Sequence, residues 1–138
     1  MCSSDLDPSN GGRALLILQS AGLITLKDGG NIASTVQDIV GNDKNLQFLE
    51  LEAAQVPRSL DDVDIAVINT NFAMEAGLNP LKDALFLESK DSPYANILAI
   101  RAGDESRPEI QKLIKALQSP EVKKFIEDKY QGAILPSF

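Results

Sequence analysis

Apolar residues along the chain occur in short continuous runs and in helical stripes, a pattern that predicts alternating strands and helices. The run at 64–69 (DIAVIN) is rich in β-branched residues and is bounded by polar ones. Such a run is typical of a strand that is buried on both faces of a parallel sheet. Other apolar patterns predict three further strands, at residues 45–52, 83–88 and 96–101.

Helices are predicted where apolar residues recur every three or four positions. Ala14–Leu18 is apolar nearly all round, which indicates a buried helix that Gly22 closes. The other predicted helical segments are Asn31–Val40, a short turn within 55–62, residues 70–77 with Thr70 or Asn71 as cap and Gly77 as terminator, Pro108–Gln118, and a last helix that begins at Pro120 after the cap Ser119 and ends at Gly132.

Strands that alternate with helices predict an α/β domain with a mostly parallel sheet. Ligands in such sheets bind beyond the carboxyl ends of the strands, so the loops that follow strands are the places to look for a site. Two loops qualify. Residues 69–71 (NTN) follow the predicted strand at 64–69, and residues 7–13 (DPSNGGR) precede the first helix, although the sequence contains no clear strand before them.

The composition supports a folded domain and removes several classes of function. The chain has 138 residues, of which 43% are apolar, enough for one domain with a hydrophobic core. The net charge of -7 argues against nucleic acid as a partner, because such surfaces need clustered Lys and Arg. There is no histidine and a single cysteine, Cys2. An internal disulfide, the usual zinc sites and His-dependent catalysis are therefore excluded, and no metal or cofactor is predicted.

The sequence carries no signal for a membrane span. No apolar run approaches the roughly 18 residues that cross a bilayer, and no signal peptide precedes the domain. The chain as given is therefore expected to be soluble. Residues 2–5 (CSSD) are similar to the start of a lipidated protein, but the apolar segment that directs lipidation is missing. An arbitrary start is the preferred interpretation.

Arg13 is the first candidate for ligand binding. It follows Gly11 and Gly12 where a helix is expected to begin, and a cation there opposes the helix dipole. One interpretation is a surface arginine that pairs with a carboxylate such as Asp7. The other is an anion site, in which the glycines let a ligand approach the backbone and the helix N-terminus offers free N–H groups. Arg13 would then add a bidentate contact to a carboxylate or phosphate.

Asn69, Thr70 and Asn71 are the second candidate group. Their simplest role is helix capping, but one cap needs one residue. A second asparagine leaves a side-chain amide that can accept from an ammonium group and donate to a carboxylate. Tyr94 and Asn96 stand at the entry to another predicted strand, where turn formation is the simpler explanation.

Two other classes of function stay open on the residues alone. A small α/β enzyme that acts on an amino acid or carboxylic acid would use carboxylates such as Asp7, Asp62 or Glu75. Against it, the sequence lacks histidine, metal-ligand spacing and an activated nucleophile. A fragment that binds no ligand is the third possibility.

Three segments together carry a family resemblance: DPSNGGRALLILQSAGLITLKDG at the start, LELEAAQVPRSLDDVDIAVINTNFAMEAGLNPLKDALFLESKDSPYANILAIR in the middle and GAILPSF at the end. Over nearly all of residues 7–138 the chain resembles the methionine-binding lipoprotein family of NlpA type. This family is the substrate-binding component of bacterial methionine ABC importers.

The resemblance implies a periplasmic-binding-protein-like fold of type II, in which two α/β lobes close over a free amino acid. The arginine that matches Arg13 then binds the ligand carboxylate, and the asparagines that match Asn71 and Asn96 hold its amino and carboxylate groups. Asn69 lies in the same motif. The implied protein is not an enzyme, and its partners are methionine and an ABC permease. It is a periplasmic or cell-surface lipoprotein that contacts the membrane only through the lipid anchor of the full-length form.

The resemblance also implies a division of the chain. Residues 1–6 are a non-family start, residues 7–95 are the second ligand-binding lobe, and residues 96–138 are a crossing strand and helices that pack on the first lobe. Because that first lobe is missing, we expect weak or undetectable methionine binding by this chain alone. The apolar stripes of the tail helices would be exposed, which favours self-association. A preference for L- or D-methionine is not predicted.

Overall fold

A computed structural model describes residues 2–5, 7–88 and 97–138 of the chain. The chain divides into two units, Met1–Leu87 and Glu88–Phe138. The elements of the first unit are, in chain order, β1 (Cys2–Asp5), α1 (Pro8–Ser20), β2 (Thr25–Leu26), β3 (Ile39–Gly41), β4 (Phe48–Leu51), β5 (Ile65–Ala66), α2 (Thr70–Glu75) and α3 (Pro80–Asp83). The second unit contains α4 (Pro108–Leu117) and α5 (Pro120–Tyr130).

The first unit is built on a three-stranded parallel sheet with the order β4-β1-β5. This confirms the predicted α/β architecture with a mostly parallel sheet. β4 lies inside the predicted strand at 45–52. The predicted strand at 64–69 is right in position but too long, since β5 spans only Ile65–Ala66 and the side chains there are half-buried rather than buried on both faces.

β1 is the central strand, and the sequence does not predict it. Residues 2–5 (CSSD) contain no apolar run. The strand forms because it has a neighbour on each side: Cys2 lies opposite Phe48 of β4 and opposite Ile65 of β5. Backbone hydrogen bonding to two strands does not depend on side-chain pattern. The structure therefore contains a strand before α1, which the sequence pattern did not clearly indicate.

α1 begins at Pro8, six residues before the predicted Ala14, because Asp7 and Pro8 form a strong start signal. The Asp7 carboxylate accepts hydrogen bonds from the backbone N–H of Ser9 at 3.0 Å and of Asn10 at 3.1 Å. Pro8 occupies the first helical position, where its missing N–H costs nothing. These two features outweigh the poor helix propensity of the glycines that follow.

The end of α1 agrees with the prediction. Gly22 adopts a left-handed conformation with φ 72°, and its N–H donates to the Gln19 carbonyl at 2.9 Å. The Leu23 N–H donates to the Leu18 carbonyl at 3.0 Å. This pair of bonds is a Schellman motif, in which glycine avoids the penalty that a Cβ would meet.

The hydrophobic core lies between α1 and the β2-β3 pair. Its buried cluster is Leu15, Leu18, Ile24 and Leu26, with Leu16, Leu23, Val36, Ile39, Leu46, Phe48 and Val67 packed around it. The prediction of a buried first helix is confirmed. Gln19 adds two hydrogen bonds to this region, since its side chain donates to the Gly29 carbonyl at 2.8 Å and accepts from the Leu26 N–H at 2.7 Å.

The predicted helix at Asn31–Val40 is wrong. Residues 36–38 form one 3₁₀ turn and Ile39–Gly41 is β3, antiparallel to β2. Side chains compete for the backbone in this segment: the Asn31 N–H donates to Ser34 Oγ at 2.8 Å, and the Thr35 N–H donates to the Asp38 carboxylate at 2.8 Å. Such local bonds offer the chain an alternative to a helix.

The predicted helix at 70–77 is present as α2, and Gly77, at φ 80°, follows its end as predicted. The predicted cap is wrong, because Asn69 occupies the cap position and Thr70 and Asn71 lie inside the helix. The Asn79-Pro80 pair, read as a break, starts the short helix α3. There the Asn79 side chain accepts from the Leu81 N–H at 3.0 Å.

Both tail helices are confirmed. α4 ends one residue before the predicted Gln118, and the Ser119 hydroxyl accepts from the Val122 N–H at 3.3 Å at the start of α5. α5 ends at Tyr130, and Gln131, at φ 48°, already adopts the left-handed conformation before the predicted Gly132.

The predicted strands at 83–88 and 96–101 are not formed in the described residues 84–88 and 97–101. Asp83 ends α3, and Asn96 lies outside the described residues. An apolar run becomes a strand only when a neighbouring strand takes up its backbone hydrogen bonds. No such neighbour lies beside either segment in the described part of the chain, and Leu85 and Ile97 are 94% and 86% exposed.

Replacing Asp7 with alanine should lower the free energy of unfolding at neutral pH, because two backbone N–H groups of α1 lose their acceptor. The hydrogen bond from the Ser9 hydroxyl, followed by that from the Asn10 N–H, lowers the pKa of Asp7. A carboxylate whose pKa falls on folding stabilises the protein above its unfolded pKa and loses this effect as pH falls through the folded value. Urea titrations should therefore show that the free energy of unfolding of Asp7→Ala is lower than that of the wild-type chain by the full amount at pH 7 and by a smaller amount in acid.

Asp7→Asn is the control for that experiment. Asparagine caps helices about as well as aspartate but does not titrate in this range. The difference in the free energy of unfolding between Asp7→Asn and Asp7→Ala should be the same at every pH. A deficit of Asp7→Ala that persisted unchanged in strong acid would contradict a role for the ionised carboxylate.

Candidate functional site

The carboxyl ends of β1 and β5 meet at one edge of the sheet, because the two strands are adjacent and parallel. β1 leads through Asp7 into α1, and β5 leads through Asn69 into α2. The two loops that the sequence singled out therefore follow neighbouring strands at the same edge. This is the position at which ligands bind in open α/β sheets.

Arg13 lies inside α1, five residues past Pro8, and is half-buried. The expectation that it stands in the first helical turn is wrong, because the helix begins earlier than predicted. At 1.5 Å of rise per residue, its backbone is about 7 Å along the axis from the start of the helix. Side chains of α-helices lean towards the N-terminus, so an extended guanidinium can span that distance towards the sheet edge.

The start of α1 does not offer the free N–H groups that the anion-site interpretation assumed. The Asp7 carboxylate holds those of Ser9 and Asn10, and the Gly11 N–H donates to the Asp7 carbonyl at 2.7 Å. The hydrogen bonds from Ser9 and Asn10 also lower the pKa of Asp7, so this end of the helix carries its own anion at neutral pH. A ligand carboxylate at this edge thus depends on side chains rather than on the helix terminus.

Gly12 has a structural role that the sequence did not reveal. A Cβ at this position would lie 2.0 Å from the carbonyl oxygen of Ile32, far inside van der Waals contact. Glycine lets the turn at 31–34 pack directly on α1. The idea that Gly12 leaves room for a ligand is therefore wrong, since protein backbone fills that room.

The side-chain amides of Asn69 and Asn71 make no hydrogen bond within the described residues. Asn69 is half-buried at the cap position of α2, where its side chain makes no capping hydrogen bond. Asn71 is exposed in the first turn, and neither amide bonds to another group within the described residues. Capping was the simplest explanation for these residues. It fails for both, so two donor-acceptor amides remain available at the sheet edge.

Two candidate residues cannot be placed. Asn96 and Tyr94 both lie outside the described residues. Arg13, Asn69 and Asn71 therefore make up the described part of the predicted site, with Arg13 on α1 and the two asparagines at the start of α2.

The carboxylates of the alternative enzyme are not brought together. Asp7 follows the carboxyl end of β1, whereas Asp62 precedes the amino end of β5, so the two stand at opposite ends of neighbouring parallel strands. Glu75 is the last residue of α2 and is exposed. A pair of carboxylates for acid–base catalysis needs closer placement than this.

The strand order adds one segment that the sequence analysis missed. β4 lies beside β1, so the residues after it, 52–55, reach the same sheet edge. Gln55 is exposed there, and its side chain makes no hydrogen bond within the described residues. The signal was available, because residues 45–52 were predicted as a strand and ligand sites follow strands.

Other features of the described chain do not contribute to this edge. A polar cavity of about 230 Å³ is lined by Lys27, Asp28, Asn31, Ala33, Ser34 and Asp38 and by none of the candidate residues. Among the described residues, no cluster of three or more Cys, Asp or Glu side chains is suited to a metal ion. None of the helices described is both long and apolar enough to cross a membrane.

Comparison with known proteins identifies relatives. Residues 4–138 match the family model described as NlpA lipoprotein. The D-methionine-binding lipoprotein MetQ of Yersinia pestis is 52% identical over 118 residues, which cover 84% of this chain and 44% of that protein. Lipoprotein 28 of Escherichia coli (strain K12) is 45% identical over 134 residues, covering 96% of this chain and 49% of that protein. The chain therefore spans about half the length of these relatives.

A solved structure gives the same result for the fold. The structure of a nutrient binding protein from Burkholderia cenocepacia bound to methionine matches with a TM-score of 0.90 at 53% identity. The match covers 99% of this chain and 58% of that one. The likeness thus includes both units of this chain.

Proposed function

Because the chain belongs to the NlpA lipoprotein family, we propose that it forms part of the substrate-binding component of a bacterial ABC importer and that its ligand is methionine. Its fold is α/β and periplasmic-binding-protein-like, of type II. In this proposal it acts outside the cytoplasm as part of a lipoprotein and delivers its ligand to the permease without chemical conversion. The relatives named for methionine support the choice of ligand.

One structural observation carries the proposal. Asn69 and Asn71 lie at the sheet edge, and their side-chain amides make no hydrogen bond within the described residues. α1, the helix that carries Arg13, begins at the same edge. An amino acid has a carboxylate and an ammonium group at one end, and an arginine with neighbouring side-chain amides can hold both. We assign the carboxylate to Arg13, and the amino and carboxylate groups to Asn71 and Asn96. Asn69 supports the same end of the ligand.

The proposal gives this chain only the polar end of the ligand. A charge-assisted hydrogen bond contributes about 1.5–3 kcal/mol, and burial of the methionine side chain contributes roughly 25 cal/mol per Å². The described residues at the sheet edge are polar and supply little of the second contribution. We therefore expect the 138-residue chain to bind methionine with a dissociation constant on the order of 1 mM or weaker.

Nuclear magnetic resonance tests the proposal, because it detects weak binding. Titration of ¹⁵N-labelled chain with methionine should shift the side-chain amide signals of Asn69 and Asn71 and the Nε signal of Arg13. Methioninol, which lacks the carboxylate, should leave the Arg13 signal unchanged. If methionine moves none of these signals, or if methioninol moves all of them equally, the proposed contacts are wrong.

A further inference from the structure

The chain joins an asparagine or aspartate to glycine at two places, Asn10-Gly11 and Asp28-Gly29. In such a pair the backbone nitrogen of glycine can attack the side-chain carbonyl carbon of the residue before it, because glycine has no Cβ to obstruct the approach. In unstructured chains the asparagine pair reacts faster, since an amide is a better electrophile than an ionised carboxylate. We propose that the fold protects Asn10 and leaves Asp28 as a site of covalent modification, where aspartate isomerises to isoaspartate.

The reaction at Asp28 releases one water molecule and takes up another, so it needs no further reactant. The Gly29 nitrogen forms a bond to Cγ of Asp28, and the carboxyl hydroxyl leaves with the proton of that nitrogen as water. Water then opens the five-membered succinimide ring. Cleavage of the bond between nitrogen and Cγ restores aspartate. Cleavage of the bond between nitrogen and the main-chain carbonyl carbon gives isoaspartate, in which the backbone runs through Cγ and Cα carries the carboxylate.

The turn that contains Asp28 leaves the reacting groups accessible. Asp28 and Gly29 are both exposed, and a Cβ at Gly29 would meet no heavy atom within 4 Å. The Asp28 side chain makes no hydrogen bond or ion pair within the described residues, and it lines the polar cavity of about 230 Å³, where water can reach it. Asp28 is also left-handed, at φ 51°. Rotation out of this region relieves backbone strain, which lowers the cost of the movement that the attack requires.

α1 restrains the other pair. Asn10 and Gly11 lie at the start of this helix, where the Gly11 N–H donates to the Asp7 carbonyl at 2.7 Å. The next residue, Gly12, packs so closely on the Ile32 carbonyl that there is no room for a Cβ. The attack requires the backbone at Asn10 to leave the helical conformation, which breaks the hydrogen bond and disturbs this packing. The helix therefore protects the pair that the sequence alone would rank first.

Isomerisation should loosen the turn, because isoaspartate adds a methylene group to the main chain. The Gly29 carbonyl accepts from the Gln19 side chain at 2.8 Å. The backbone at Gly30 packs directly on the side chain of Leu26, which belongs to the buried core. A longer backbone cannot keep both contacts at their present positions. We therefore expect the isomerised chain to unfold at a lower urea concentration than the fresh chain.

An Asp28→Asn chain tests the effect of the fold, because it places two asparagine-glycine pairs in one molecule. The folded chain is incubated at physiological temperature, and deamidation is followed by mass spectrometry of its peptides. Position 28 should react at least about tenfold faster than Asn10, because a reaction that requires local opening of a helix is slowed by the cost of that opening. In urea, which unfolds α1, the two positions should react at similar rates. Equal rates in the folded chain, or a faster reaction at Asn10, would overturn the proposal.

The wild-type chain tests the product itself. Isoaspartate has the same mass as aspartate, so the peptide that contains Asp28 should separate into two chromatographic peaks of equal mass. A methyltransferase specific for isoaspartyl carboxylates should transfer a labelled methyl group to one of these peaks and not to the other. Asp28→Glu is the control, because its longer side chain would have to close a six-membered ring, which forms far more slowly. A single unlabelled peak after prolonged incubation of the wild-type chain, or equal labelling of position 28 in Asp28→Glu, would contradict isomerisation at Asp28.

Discussion

Replacing Arg13 with alanine should weaken methionine binding by roughly 10- to 150-fold, the factor that corresponds to the loss of a charge-assisted hydrogen bond of about 1.5–3 kcal/mol. The guanidinium is the one cationic group assigned to the ligand, and the start of α1 cannot replace it, because Asp7 already occupies the N–H groups there. In the titration by nuclear magnetic resonance, the initial slope of the Asn69 and Asn71 amide shifts against methionine concentration should fall by at least tenfold.

Two controls make this result specific. Arg58→Ala removes the same charge from an exposed position in the same unit and should leave the slope unchanged. Methioninol lacks the carboxylate, so its binding should be equal in the wild-type chain and in Arg13→Ala. Undiminished methionine binding by Arg13→Ala would remove the carboxylate-anchor role, even if the asparagines still responded.

Sequence patterns predicted the elements whose signals are local. The Ser119-Pro120 pair starts α5, as predicted, through a single side-chain acceptor and a pre-set φ. The stripe of α4 is read directly from residue spacing. In these cases, residues that are close in the sequence decide the structure, and no knowledge of the fold is needed.

The errors in the strands occur where distant parts of the chain decide. β1 is a strand because β4 and β5 pair with it on both sides, although its residues have no strand pattern. The opposite holds at 84–88 and 97–101, where an apolar run finds no pairing strand among the described residues. Pairing is a property of the sheet, so a single-strand pattern predicts it poorly.

The candidate site shows the same division. The rule that ligand loops follow strands selected 69–71, and the parallel order places this loop and the start of α1 at the same sheet edge. The argument from Gly11, Gly12 and a free helix start was wrong in detail, because it needed the true start of α1 and the position of Ile32. Arg13 remains a candidate, because a carboxylate requires its charge and does not require a position in the first helical turn.

Gly12→Ala should lower the free energy of unfolding by about 2–3 kcal/mol, because the new Cβ would lie 2.0 Å from the Ile32 carbonyl oxygen. Alanine has the better helix propensity by roughly 1 kcal/mol. That gain cannot offset a clash between a Cβ, which is fixed to the helix backbone, and the backbone carbonyl of Ile32, because neither can rotate away as the end of a flexible side chain would. Urea denaturation followed by circular dichroism measures the change.

Ser20→Ala is the matched control, because it introduces the same residue at an exposed position of the same helix. It should change stability by no more than about 0.5 kcal/mol. The pair of variants also separates two roles for the glycine. If Gly12 made room for a ligand, alanine would leave stability intact and weaken only methionine binding. If it admits the turn at 31–34, the loss appears in the absence of methionine, and an equally stable Gly12→Ala chain would show that this turn does not pack on α1 as described.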